Sequence, residues 1–64
     1  MKYEDFLKKL YKPARSAFEH EGINNFEKLA SLSKEELLLI HGVGPKSLPI
    51  VVECLNEVGM KLRE

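Results

Sequence analysis

The side chains with covalent or acid–base potential are Cys54, His20 and His41, beside carboxylate pairs at Glu35-Glu36 and at Glu53 and Glu57. Catalysis requires a nucleophile, a base and an orienting group converging in one pocket, and these three residues lie far apart in the chain. Cys54 falls at helical spacing beside Val51, Leu55 and Val58, where a free cysteine reads as a small, half-buried apolar residue. His20 stands between Glu19 and Glu21 on a helix flank and reads as solvated. His41 follows an apolar helix, where it suits the negative helix end and stands within reach of a phosphate. One cysteine and two histidines lack the paired spacing of a zinc site. So small a chain hardly forms the cleft an acid–base pair needs. The expectation is a binding module and not an enzyme, without cofactor or metal.

Binding chemistry is concentrated in Leu37 to Val52, LLLIHGVGPKSLPIVV. An aliphatic helix that meets Gly42 and Gly44 must stop, because glycine adopts left-handed dihedrals cheaply and weakens helix interiors. Pro45 can restart a helix, since its missing N–H falls where no partner is needed. The spacing therefore predicts two helices across a tight hairpin, with Val43 as an apolar plug. Amides around Gly44 to Ser47 would then point out of a helix N-terminus, whose unpaired donors and partial positive charge suit a phosphate oxygen. Lys46 adds an ammonium and Ser47 a hydroxyl.

Five short helices must position this hairpin. The first runs from Tyr3 to Tyr11, with Phe6, Leu7 and Leu10 inward, Tyr3 and Tyr11 able to join them, and Lys8, Lys9 and Lys12 outward or in its last turn. Pro13 redirects the chain into a second helix, Pro13 to Glu21, that buries Ala14, Ala17 and Phe18 and stops at Gly22. Asn24 or Asn25 can cap a third, containing Phe26, Leu29 and Ala30. Ser33 with Glu36 forms a capping box that opens a fourth, Lys34 to about Ile40. The fifth runs from Pro45 to about Val58, with Leu48, Val51, Val52, Leu55 and Val58 as its buried stripe and Pro49 in or just after its first turn. Gly59 ends it, with Met60 and Leu62 packing back.

Sixty-four residues allow one domain, 1–64. With 44% apolar and 31% charged residues the chain has the make-up of a globular protein. A lone cysteine excludes an internal disulfide and fits a reducing, cytoplasmic setting. No apolar run approaches the ~20 residues that span a bilayer, and no signal peptide is expected. Net charge is zero, but Lys2, Lys8, Lys9, Lys12 and Arg15 against Glu4 and Asp5 give residues 1–18 a balance of +3, and the remainder carries −3. A basic face and an acidic back are compatible with that division.

The Gly42-Val43-Gly44 turn flanked by Leu37, Ile40, Val51 and Val52 resembles the helix-hairpin-helix motif. Lys46-Ser47-Leu48, with Arg15-Ser16-Ala17-Phe18, Glu21-Gly22-Ile23-Asn24, Glu36-Leu37-Leu38 and Gly59, is similar to the C-terminal domain of the bacterial RNA polymerase alpha subunit over about residues 10–62. That resemblance implies an all-α, SAM-like domain, a free-standing bacterial relative without the assembly domain. It also implies duplex DNA as partner, with Gly44, Lys46 and Ser47 at phosphate-contacting positions. Turns of this kind sometimes hold a monovalent cation. Pro13 replaces the family's usual DNA-contacting arginine, and Ile50 an acidic residue. The expected grip is Gly42, Val43, Gly44, Lys46 and Ser47, supported by Arg15, Lys12 and Lys8 or Lys9, on backbone phosphates without sequence preference. The rival expectation is a protein-docking module that uses the acidic flank or a patch around Leu39 and Ile50, the hairpin being purely structural.

Overall fold

The structure, a computed structural model, describes residues 1–63. Five helices follow one another: α1 (Tyr3–Lys9), α2 (Lys12–His20), α3 (Phe26–Ala30), α4 (Lys34–Leu39) and α5 (Ser47–Glu57). The chain is all-α, and the one strand-like contact among the described residues is a parallel bridge between Ser33 and Arg63. No helix is long and apolar enough to cross a membrane.

α1 ends two residues earlier than its periodicity predicts. Leu10 turns to an extended backbone (φ −81°, ψ 153°) so that its side chain, 3% exposed, reaches the core. Tyr11, also extended, becomes the residue that enters α2 and stays 58% exposed instead of joining the apolar stripe. Arg15 bonds to main-chain oxygens at this end of α1. Its Nε donates to Leu7 O at 3.2 Å and its Nη2 to Leu10 O at 3.3 Å. A planar guanidinium on the negative end of a helix is favourable on both geometry and charge.

Local signals set the remaining boundaries. Asn25, not Asn24, caps α3, its side chain accepting from Lys28 N at 2.7 Å. Both halves of the Ser33–Glu36 capping box are present, at 3.2 and 3.0 Å. The Glu36 carboxyl is held below its ordinary range, first by the Ser33 N–H and then by Arg63. α2 and α5 end alike. Gly22 (φ 74°) and Gly59 (φ 75°) take left-handed conformations, while Ile23 N donates to Phe18 O and Met60 N to Leu55 O. These are Schellman closures, which return the next apolar residue onto the helix just completed.

The core joins all five helices. Phe6, Phe18, Leu29, Leu37, Val51 and Leu55 are fully enclosed, and α1 lies against α5. Within it Tyr3, Phe6, Phe18 and Phe26 form an aromatic cluster with ring centroids 5.1–6.1 Å apart, inside the range where edge and tilted pairs attract. On α5 the enclosed residues are Ser47, Val51, Cys54 and Leu55, whereas Leu48, Val52 and, just past its end, Val58 are half-buried. The core stripe is narrower than expected and passes through the cysteine. Arg63 fastens the C-terminal end: its N–H reaches Ala30 O and Leu32 O, its Nε reaches Ser31 O, and its guanidinium pairs with Glu36.

The Tyr3 hydroxyl donates to Ile23 O at 2.6 Å, tying α1 to the end of α2, and burial raises its pKa from 10.0 to about 12. A folded-state value above the unfolded one means the neutral phenol stabilises the fold fully below pH 10, and that contribution is lost as pH rises through 12. Urea midpoints should therefore fall between pH 10 and 12. Tyr3→Phe should be less stable by about 1 kcal/mol at neutral pH and show a shallower alkaline fall.

Candidate nucleic-acid interface

Residues 40–47, between α4 and α5, are two successive tight turns. In the first, Val43 N donates to Ile40 O at 3.1 Å and Gly42, in third place, has φ 98°. This is the pattern of a type II turn, which requires a left-handed residue there. In the second, Ser47 N donates to Gly44 O at 3.0 Å, with Pro45 at the position proline favours and Lys46 helical (φ −66°, ψ −22°). Leu48 N closes a further tight bond to Pro45 O at 3.2 Å. α5 thus begins at Ser47 and not at Pro45, because Ser47 and Leu48 reach back three residues instead of four.

The two glycines do different work. A Cβ on Gly42 would stand 2.9 Å from Pro13 O and 3.3 Å from the Ala17 Cβ, so the turn is pressed against the start of α2. Gly44 is not left-handed, contrary to the expectation for both. It precedes Pro45, which steers its neighbour to extended backbone, and a Cβ there would meet nothing within 4 Å.

Of the expected grip, part faces outward and part does not. The N–H groups of His41, Gly42, Gly44 and Lys46 have no backbone partner among the described residues, and Lys46 is exposed. Val43 is the apolar plug, 5% exposed. Ser47 is 2% exposed and its amide is bonded to Gly44, so it presents neither group as expected. Arg15 is committed to the α1 carbonyls and is not a free support. Lys12, Lys8 and Lys9 are exposed, and the Gly42–Pro13 approach brings the Lys12 end of α2 beside the turn.

Fold geometry also joins the two histidines, which sequence separation had kept apart. His20 and His41 line one shallow cleft of about 560 Å³ with Pro13, Ser16, Ala17 and Gly42. Among the described residues no three His, Cys, Asp or Glu side chains are grouped to hold a metal ion. Cys54 is 2% exposed and burial pushes its thiol up, which disfavours the reactive thiolate. Of the two residues expected to mark a docking patch, Leu39 is 83% exposed while Ile50 packs against the core. Sequence reasoning missed the Pro13 seat of Gly42 and the Arg63 fastening, neither of which has a periodic signal.

The glycines separate in a stability test. Gly42→Ala meets both positive φ and the Pro13 carbonyl and should lose about 1–3 kcal/mol in urea unfolding. Gly44→Ala has neither obstacle and should gain about 0.4–1 kcal/mol by restricting the unfolded chain.

No family model, curated protein or solved structure matches this chain.

Proposed function

We propose that residues 37–52 form a helix-hairpin-helix and that the protein binds duplex DNA through backbone phosphates at its 41–46 turn. The observation that carries this reading is Gly44. Nothing inside the chain requires glycine there, since neither its φ nor its neighbours exclude a Cβ. Glycine in such a place leaves the main chain bare for something outside to approach. The donors it bares are its own N–H and those of Gly42 and Lys46, all unpartnered.

Three main-chain donors and the Lys46 ammonium can surround one phosphate oxygen cluster, in the manner of a backbone nest. Lys12, beyond the Gly42–Pro13 contact, lies on the side where a neighbouring phosphate would pass. Main-chain contacts fix position and carry no base information. Both turns are short, and no long exposed helix projects to enter a major groove. Binding is accordingly weak, governed by ion release and blind to sequence.

Titrating a short duplex at low salt while following backbone amide shifts tests this. Shifts should centre on Gly42, Gly44 and Lys46 and fade as salt is added. Lys46→Ala should reduce the salt slope of log K by about 0.9. Gly44→Ala should weaken binding although it does not weaken the fold. Silence at low salt, or shifts confined to the acidic end of α2 and to α4, would overturn the proposal.

A further inference from the structure

The helices α1 and α2 obey opposite charge rules. α1 has Glu4 and Asp5 in its first turn and Lys8 and Lys9 in its last, as the helix dipole favours. α2 begins with Lys12 and no acid in its first turn, and it ends with Glu19 and Glu21 on either side of His20. Lys12 and Glu19 oppose the dipole of α2, and Glu21 stands at its C-cap.

The same polarity extends along the chain. Residues 1–18 hold +3, and residues 19–36 hold the compensating −3, with Glu19, Glu21, Glu27, Glu35 and Glu36 against Lys28 and Lys34. Each pole carries an exposed apolar side chain. At the basic pole Tyr11, 58% exposed, stands between Lys9 and Lys12. At the acidic pole Leu39, 83% exposed, borders a depression of about 320 Å³ lined by Glu21, Ile23, Leu32, Glu36 and Ile40. α2 runs nine residues, about 13 Å, from Lys12 toward Glu21.

We propose that the occupant of the Leu39 depression is a second copy of this chain, which inserts Tyr11 with Lys12 facing Glu21. The chain itself contains the complementary surface, an aromatic side chain flanked by lysines against an apolar hollow whose rim carries the Glu21 carboxylate and a Glu36 already paired with Arg63. Its zero net charge adds no overall repulsion to oppose association. The two surfaces are different patches on one molecule, so the contact is head-to-tail and leaves a free pole at each end. None of residues 42–47 takes part, Lys12 is the one residue shared with the nucleic-acid reading, and measuring association without DNA keeps the two apart.

Sedimentation equilibrium of the full chain without DNA tests it. At about 0.01 M salt, where charges act over about 30 Å, the weight-average mass should climb above 7.3 kDa with concentration and pass the dimer without a plateau. At about 1 M salt it should return toward the monomer. Leu39→Glu and Tyr11→Glu alter exposed residues, and circular dichroism should show both folded. Each alone should weaken association by about tenfold or more. Mixed together they should restore a one-to-one dimer that grows no further, since one keeps the Tyr11 pole and the other the Leu39 pole. A wild-type chain that stays monomeric at about 1 mM and low salt would overturn the proposal. So would a mixture that fails to pair, or a dimer that Leu39→Glu abolishes and Tyr11→Glu leaves intact, since that pattern means Leu39 meeting Leu39.

Discussion

The close approach of the Ile40–Val43 turn to the first turn of α2 is the contact on which the candidate site depends. A Cβ at Gly42 would lie 2.9 Å from Pro13 O, so the main chains of two elements touch without an intervening side chain. This fixes where α4 stops, and it places Val43 under the turn as a buried plug. It also sets the Lys12 end of α2 beside the amides of His41, Gly42, Gly44 and Lys46, which bond to no main-chain oxygen among the described residues. A side chain at position 42 would separate these parts and leave the turn an isolated corner.

The rest of the architecture holds that contact in place with short-range devices. A chain of this size encloses a small core, and each helix is too short to be stable alone. Closures and caps do much of the positioning: two Schellman ends, the Asn25 cap, the Ser33–Glu36 box and the Arg15 fork on α1. Arg15 shows how a cation in a promising region can be spent on the fold itself. Its charge contributes to the basic pole, but its donors are already engaged. Ser47 is a second such case, its hydroxyl-bearing side chain drawn inward by a turn that closes at its own amide.

Charge in this protein is arranged as two poles and not as a net value. The zero total conceals a basic first quarter and an acidic second one, with α2 linking them against its own dipole. A small protein can therefore offer an anionic polymer one end and a cationic surface the other. The exposed Tyr11, between α1 and α2, and Leu39, the last residue of α4, mark those ends.

Helix number and identity were legible from sequence because apolar spacing, proline, glycine and capping residues act locally. Phe6, Ala14, Phe18, Leu29, Leu37 and Val51 could be placed inward on periodicity alone, and Ser33 with Glu36 named its own boundary. Glycine 42 could be named as a turn residue by the same logic. What only the tertiary structure decided was which partner each group finds. That Gly44 is conformationally ordinary, that Ser47 faces inward, that Arg15 serves α1, and that Arg63 ties the C-terminal end to the α3–α4 link all depend on residues distant in sequence or on one-residue shifts in a turn. Local propensity determines which elements form; hydrogen-bond satisfaction and close packing between elements determine which donors remain free to meet a ligand.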